Sequence, residues 1–477
     1  MEKEFYLIAP EKHHYELGTL IRQILPFAQI LAEAKSGVRG IVLSEDETRA
    51  QLFDEDGGLQ REVKLEEPSM VYQGEASKNW GKRVILEVMD AELPWGILTG
   101  VRPSKVAYAY LEDGRSELET EQILREEYLL REDKAKLCTQ VAASERLLLQ
   151  DHKGTDVSIY AGIPFCPTRC SYCSFISNDK RAYDKWAEQY VDALVHEMDS
   201  CHNLLEGRGL QSFYMGGGTP TTLDPEQLKK VLQAADRLCH FAELKEVTVE
   251  AGRPDTITPE KLQVLKAMGV TRISINPQTM IQRTLDVIGR KHSVEAVEEA
   301  FWMAREAGFD NINMDFIVGL PGEGPDEVRY SMERVKKLRP DNLTVHTLAI
   351  KRSSKMNEEG AGLDLLGQAR QIDEMISITA QAARELGMEP YYMYRQKNMA
   401  GNFENVGYSL PGKEGLYNIE IMEERQTILA FGAGGVSKVY FPTENRLERV
   451  PNVKGAEEYI RRIDEMIGRK QEGVKLL

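Results

Sequence analysis

With 477 residues, 42% of them hydrophobic and 29% charged, the chain has the composition of an ordinary soluble protein and the length for two or three domains. Its formal charge of −16 argues against broad nucleic-acid binding, because neutralising phosphates needs a surplus of Lys and Arg on one face. The opening Met1-Glu-Lys-Glu-Phe5 is too charged for a signal peptide, and no run approaches the roughly 18 apolar residues of a membrane helix. A cytoplasmic protein with no membrane span is expected.

From the N-terminus, Phe5–Ala9 and Val38–Leu43 read as strands, Tyr15–Ala34 as a helix and Val84–Val88 as another strand, together a small α+β unit. Trp95–Lys105 predicts a turn and a Pro-initiated helix, with anion holding by Arg102 or Lys105 as the alternative use of the same residues. A charged helical tract from Glu117 to Gln150 follows, so residues 1–150 read as an α+β accessory domain with a helical bridge. Strands are then expected at Ser158–Pro164, Ser212–Met215, Glu246–Glu250, Arg272–Ile275, Asn311–Val318 and Asn342–Leu348, with helices between. Six strands alternating with helices predict an α/β domain over 151–355, curled by right-handed crossovers into a partial (β/α)6 barrel with its site on the C-terminal strand ends. Residues 356–477 are less regular, with a helix over Leu365–Leu386, the stretch Pro390–Lys397, the run Phe431-Gly-Ala-Gly-Gly-Val436 and a closing amphipathic helix. They read as an irregular, substrate-side extension.

The first barrel strand leads into Tyr160–Phe175, which holds Cys166, Cys170 and Cys173 at C-x3-C-x2-C spacing. Three thiolates on one loop can hold three irons of a [4Fe–4S] cluster and leave the fourth open, whereas a structural zinc site or an electron-transfer cluster uses four ligands. Clustered thiols with Cys138, Cys201 and Cys239 scattered elsewhere point to metal rather than a disulfide framework, and the scattered three read as small buried hydrophobes. After the second strand, Met215-Gly-Gly-Gly-Thr-Pro-Thr221 lets backbone approach a ligand closely.

These features resemble the radical S-adenosylmethionine (SAM) enzymes. Tyr160, Ile163-Pro-Phe-Cys166, Gly216-Gly-Gly-Thr-Pro-Thr221 and Asp315-Phe-Ile-Val-Gly-Leu-Pro-Gly322 are similar to the oxygen-independent coproporphyrinogen III oxidase family. Cys166-Pro-Thr-Arg-Cys170, Tyr394-Arg-Gln-Lys397 and the long N-terminal region look most like its coproporphyrinogen dehydrogenase branch. The resemblance implies that Cys166, Cys170 and Cys173 ligate the cluster. It also implies SAM contacts at Tyr160, Tyr172, Gly217, Gly218, Thr219, Glu250, Gln278, Arg290, Asp315 and Ala349. Pro254 stands four residues after Glu250, where the family often has proline three residues on.

The activity implied is reductive cleavage of SAM, hydrogen abstraction by a 5′-deoxyadenosyl radical, and conversion of two propionates of coproporphyrinogen III to vinyl groups in heme biosynthesis. The partners implied are a tetrapyrrole substrate and a reduced flavodoxin- or ferredoxin-like electron donor. Lys351, Arg352, Arg395 and Lys397 are candidate cations for a tetra-anionic substrate, and Tyr391, Tyr392 and Tyr394 either wall a macrocycle or pack in the core. Two positions depart from the best-known oxidase branch: Phe175 replaces a fourth cysteine and Gly162 a histidine. A related branch with an aromatic at the Phe175 position serves as a heme chaperone and carries a C-terminal His-Asn motif that is absent here. A radical enzyme acting on another tetrapyrrole, as in anaerobic heme ring opening, is the third reading.

Overall fold

The computed structural model describes residues 3–26, 28–65, 76–173, 180–349, 369–396 and 402–474. Two compact units emerge, one of Met1–Ala143 with Tyr394–Glu404 and the other of the remaining described chain.

In the first unit, strands β1 (Glu4–Ile8), β2 (Gln29–Leu31), β3 (Gly40–Leu43), β4 (Arg49–Phe53) and β5 (Leu59–Lys64) form a sheet in the order β2-β1-β3-β4-β5. Helices α1 (Glu11–Ile24) and α2 (Ala76–Val88) supply Leu17, Leu20, Ile21, Val84 and Ile85 to its core. Two expectations are corrected here. The run Val84–Val88 is the end of α2, because Trp80, Val84, Ile85 and Val88 recur at helical spacing and are all buried. The helix expected to reach Ala34 stops at Ile24, since Pro26 cannot continue it, and the chain pairs as β2 parallel to β1. The β4–β5 hairpin escapes a pattern search because β5 is almost wholly exposed. Helix α3 (Ser104–Glu112) does start just after Pro103, and α4 (Glu117–Glu126) and α5 (Glu132–Leu148) occupy the charged tract.

In the second unit, β6 (Val157–Ile163), β7 (Leu210–Gly217), β8 (Glu246–Glu250), β9 (Arg272–Ser274), β10 (Ile312–Val318) and β11 (Asn342–Thr347) are parallel, each paired with the next in sequence. Helices α6 (Lys180–Ser200), α7 (Pro225–Cys239), α8 (Pro259–Ala267), α9 (Gln282–Val287), α10 (Val294–Glu306) and α11 (Pro325–Leu338) lie between them in the chain. Period-two alternation divides the strands into an apolar face, with Ile159, Val249, Ile273, Met314 and Val345 fully or nearly fully buried, and an inward polar one. The inward side chains bond from strand to strand: Thr344 donates to Asn313 at 2.9 Å, Asn313 to Ser274 at 2.9 Å, and Arg272 to Asn342 at 3.3 Å. Such a belt makes the six strands the wall of a partial barrel with a polar interior.

The C-terminal part widens this sheet. After α12 (Ala369–Glu385), strands β12 (Glu389–Tyr394) and β13 (Asn405–Ser409) extend it beyond β11, with β13 antiparallel. Helix α13 (Leu416–Glu423) enters the interior, and β14 (Thr427–Phe431) pairs parallel with β6 before β15 (Val436–Phe441) and β16 (Arg446–Pro451) finish an eleven-stranded sheet. Helices α14 (Ala456–Arg461) and α15 (Ile463–Val474) end the described chain. A fully buried pair, Lys470 to Glu197 at 3.2 Å, ties α15 to α6, and Tyr459 donates to the same carboxylate at 2.6 Å. Cys138, Cys201 and Cys239 are buried as expected, and burial pushes the Cys201 thiol up to about 12.

Candidate cluster and SAM site

The barrel's C-terminal rim gathers the residues singled out in the sequence. Cys170 is buried and Cys166 and Cys173 half-buried on the loop after β6. That loop is held by Ser171 N–H on Ile288 O at 3.0 Å, Thr168 hydroxyl on Gly289 O at 3.2 Å, and Cys173 N–H on Cys170 O at 3.2 Å. Among the described residues no group of three His, Cys, Asp or Glu side chains is arranged around a single metal ion.

The glycine loop lies directly against the cysteine segment. Gly218 N–H donates to Ile163 O and Thr219 N–H to Phe165 O, both at 2.7 Å, while Thr219 Oγ1 stands 3.5 Å from Cys166 Sγ. A Cβ on Gly218 would fall 2.5 Å from the Phe165 carbonyl, and Gly217 sits at φ +104°, so glycine is required at both positions. These two N–H groups are committed, and an ammonium group, which carries donors only, can be met at this loop by oxygen acceptors alone.

Glu250, at the end of β8, accepts from Tyr214 Oη at 2.5 Å. Burial first, then repulsion from Asp315, pushes its carboxyl up to about 7, against the pull of Tyr214 and Arg272. Tyr160 stacks with Tyr214 (centroids 6.3 Å) and Tyr417 (6.1 Å), and Tyr214 with Tyr417 (4.6 Å), giving a wall of three rings beside Glu250. Asp315 on β10 accepts from Asn313 at 2.6 Å and lies 3.8 Å from His346; burial opposes its charge, yet His346 and Asn313 hold the carboxyl below its usual range.

Gln278 is a non-glycine residue at φ +70°, clamped by its N–H on Asp315 O and its carbonyl under Ile317 N–H, both at 2.9 Å. Such a conformation costs about 1–2 kcal/mol and persists where the surroundings impose it. Ala349 is half-buried just beyond β11.

Arg290 is buried, donating to Gly252 O at 3.2 Å, Asn276 O at 2.5 Å and Tyr172 Oη at 3.2 Å, while its buried Nε has no partner. Burial works against its charge, but Tyr172 and Cys170 more than offset that and raise its hold on the proton. An unpaired buried donor on a pinned guanidinium suits a carboxylate ligand.

Sequence reasoning missed several interior residues. Arg272 is almost fully buried on β9 beside Glu246, and Tyr417 and Glu420 come from α13, where Glu420 accepts from Ser212 at 2.6 Å. The polar alternation Ser158, Tyr160 on β6 and Glu246, Thr248, Glu250 on β8 was the available signal, since exposed edges would not follow so many buried apolar partners. Arg253 and His346 also lie at the rim.

Three substrate-site candidates, Lys351, Arg352 and Lys397, and also Phe175, lie outside the described residues. Arg395 belongs to the first unit, where it donates to Leu98 O at 2.5 Å and Asn402 O at 3.1 Å and lies over Trp95; burial lowers its guanidinium to about 10. Tyr391 and Tyr392 are buried in the second unit, and Tyr391 accepts from Asn418 at 3.1 Å, which is core packing.

The barrel and its rim have the form of a radical SAM protein, and residues 160–335 match the Radical SAM superfamily. The oxygen-independent coproporphyrinogen-III oxidase-like protein HemZ of Bacillus subtilis (strain 168) is 40% identical over 375 residues, 78% of this chain and 75% of that one. The chain therefore belongs to the oxygen-independent coproporphyrinogen III oxidase family. The heme chaperone HemW of B. subtilis is 32% identical over 58% of this chain and 69% of its own. Oxygen-independent coproporphyrinogen III oxidase of Escherichia coli (strain K12) is 32% identical over 193 residues, 40% of this chain and 42% of its own. A solved structure of the E. coli coproporphyrinogen III oxidase shares the fold, with a TM-score of 0.52 at 22% identity over 68% of this chain and 73% of that one.

The superfamily's cofactors are a [4Fe–4S] cluster and SAM. The residues present fit both: three thiols without a fourth, a glycine loop pressed against them, and the unpaired Nε of Arg290. No helix among the described residues is long and apolar enough to cross a membrane.

Two of the interior carboxyls, Glu250 and Glu420, make a pH prediction. Glu250 and Glu420 both titrate near 7 in the folded chain, above their unfolded range, so folding binds protons. Stability from these groups is full below about pH 4 and is lost as pH rises through about 7. Glu250→Gln is expected to flatten part of that decline in a series of thermal melts from pH 5 to 8; an unaltered slope would count against the buried titration.

Proposed function

We propose that this chain catalyses oxygen-independent oxidative decarboxylation of coproporphyrinogen III, turning two propionates into vinyl groups to give protoporphyrinogen IX. The observation that carries this reading is the 40% identity to a coproporphyrinogen-III oxidase-like protein over most of both chains. Cys166, Cys170 and Cys173 are read as the cluster ligands. The SAM contacts are read as Tyr160, Tyr172, Gly217, Gly218, Thr219, Glu250, Gln278, Arg290, Asp315 and Ala349. When bound, the cluster and SAM supply a carbon-centred radical that removes a hydrogen atom from substrate. The chain's own tasks are to orient the amino acid end of SAM between Arg290 and the glycine loop, to hold Glu250 and Asp315 toward its polar groups, and to exclude water with the tyrosine wall.

Each propionate gives up one hydrogen atom, one electron and CO2 to become vinyl, so an electron acceptor is needed besides the reduced flavodoxin- or ferredoxin-like donor. Residues 1–150 are read as accessory and 356–477 as substrate-side.

A second reading, a heme-binding chaperone that keeps the cluster, is favoured by Phe175 in place of a fourth cysteine and by the similarity to the heme chaperone of B. subtilis. At the other departure, a Cβ on Gly162 would stand 3.3 Å from Ala433 O, so the Gly432–Gly435 turn leaves little room for the histidine of the better-known branch. Anaerobic incubation of the cluster-loaded protein with SAM, reductant and coproporphyrinogen III is expected to release CO2 and form protoporphyrinogen. SAM cleavage without decarboxylation, together with tight stoichiometric heme binding, would sink the first reading in favour of the second.

A further inference from the structure

Three residues, Ala251, Gly252 and Arg253, separate Glu250 from Pro254, and the Arg253 side chain is buried. Its backbone is extended, with φ −129° and ψ 111°, immediately before a tight turn over Pro254–Thr256. That turn is held by Thr256 N–H on Arg253 O at 3.0 Å and Thr256 hydroxyl on the same carbonyl at 2.7 Å. Lys261 caps it from outside, donating to Thr221 O at 2.6 Å and Thr256 O at 3.1 Å. On the other side Arg290 holds Gly252 O at 3.2 Å, so the loop has little freedom.

The Arg253 side chain is buried and fully directed. Its Nε and Nη2 meet the two oxygens of Asp255 at 3.0 Å each, a bidentate fork. That leaves Nη1, which donates to Thr168 Oγ1 at 3.1 Å and reaches Cys170 Sγ at 3.8 Å. Asp255 sets the orientation, and Thr168, whose own hydroxyl is spent on Gly289 O, braces it. A guanidinium held this way has one edge left, and it points at a thiol.

We propose that Arg253 tunes the cluster by donating an N–H···S hydrogen bond to the Cys170 thiolate, making it a positioning residue that raises the cluster's reduction potential. The proposal rests on the reading of Cys166, Cys170 and Cys173 as cluster ligands. Hydrogen bonds to ligand sulfur, like net charge and solvent exposure, set the potential of an iron–sulfur cluster, because the reduced form carries one more negative charge and gains more from a donor. Among the described residues, several charged groups lie near this sulfur, and Arg169, with an exposed side chain, precedes Cys170 in the chain. Arg290 is a second guanidinium near this sulfur, Asp255 is the carboxylate that holds Arg253, and His292, lowered to about 4 chiefly by burial, adds no charge at neutral pH. Arg253→Gln removes the directed donor while Arg290 stays.

The test is an anaerobic redox titration of the full chain, reconstituted with iron and sulfide and read by EPR and visible absorbance, with no substrate present. Arg253→Gln is expected to keep the wild-type iron content but to be about tenfold harder to reduce, which is about 59 mV more negative for a one-electron couple. Arg253→Lys, which keeps the charge but loses the fork, is expected to fall between. Wild-type potential in both variants at full iron content would overturn the proposal. So would loss of the cluster from both, since Arg253 would then be a brace for the loop. Failure of the wild-type chain to assemble a cluster would instead remove the ligand reading itself, whatever the substrate.

Discussion

Cys170→Ala is expected to abolish the EPR signal of the reduced cluster and most of the bound iron and sulfide. Cys170 is the buried member of the three thiols and sits at the centre of its loop, between Thr168 and the turn that brings Cys173 back onto its carbonyl. With three thiolates for four irons, each ligand lost leaves a second iron without protein attachment. Far-UV circular dichroism should be unchanged, because Ser171 and Thr168 fasten the loop to the chain around Ile288 and Gly289 independently of the thiol's contact with Arg253. Cys239→Ala, buried on α7 with its thiol on Ala235 O at 3.1 Å, is the control and should keep the signal. An unchanged signal in Cys170→Ala would refute the assignment of ligands.

Arg290→Ala should weaken SAM binding by about 30- to 150-fold, the equivalent of losing one charge-assisted hydrogen bond of about 2–3 kcal/mol. The same substitution strips Gly252 O, Asn276 O and Tyr172 Oη of their donor, so a fall in melting temperature accompanies it. Arg290→Lys separates the two effects: it restores charge but cannot serve three partners and a fourth acceptor from one plane. Calorimetric titration of SAM into cluster-loaded protein checks this. Wild-type affinity in Arg290→Ala would show that its free Nε faces no ligand.

Much of the second unit is legible in the amino-acid sequence. The six barrel strands lie within about two residues of their expected ends, because most alternate apolar and polar residues and are bounded by turn residues, the pattern that period-two reading detects best. The cysteine spacing and glycine loop needed no tertiary information, since both are local devices whose meaning lies in consecutive residues. The first unit was read less well for the same reason. Val84–Val88 carries β-branched residues whose helical periodicity shows only when Trp80 is counted with them, and β5 has no buried face to betray it. The C-terminal strands β12 to β16 were not anticipated, because what makes them strands is the edge that β11 offers β13 and β6 offers β14, on which β12, β15 and β16 then build.

The amino-acid sequence by itself determined that three thiols share a loop, that glycines follow the next strand, and that the chain alternates strand and helix. Those are properties of neighbours along the chain. Only the tertiary structure decided that Arg272 is an interior residue, that Tyr417 and Glu420 reach the barrel from α13, and that Arg253 turns from Asp255 toward Cys170. Each of those depends on a contact between residues from 70 to 208 apart in the chain. Where a buried charge finds its partner is set by packing, because the cost of leaving it unpaired is met only in the folded chain.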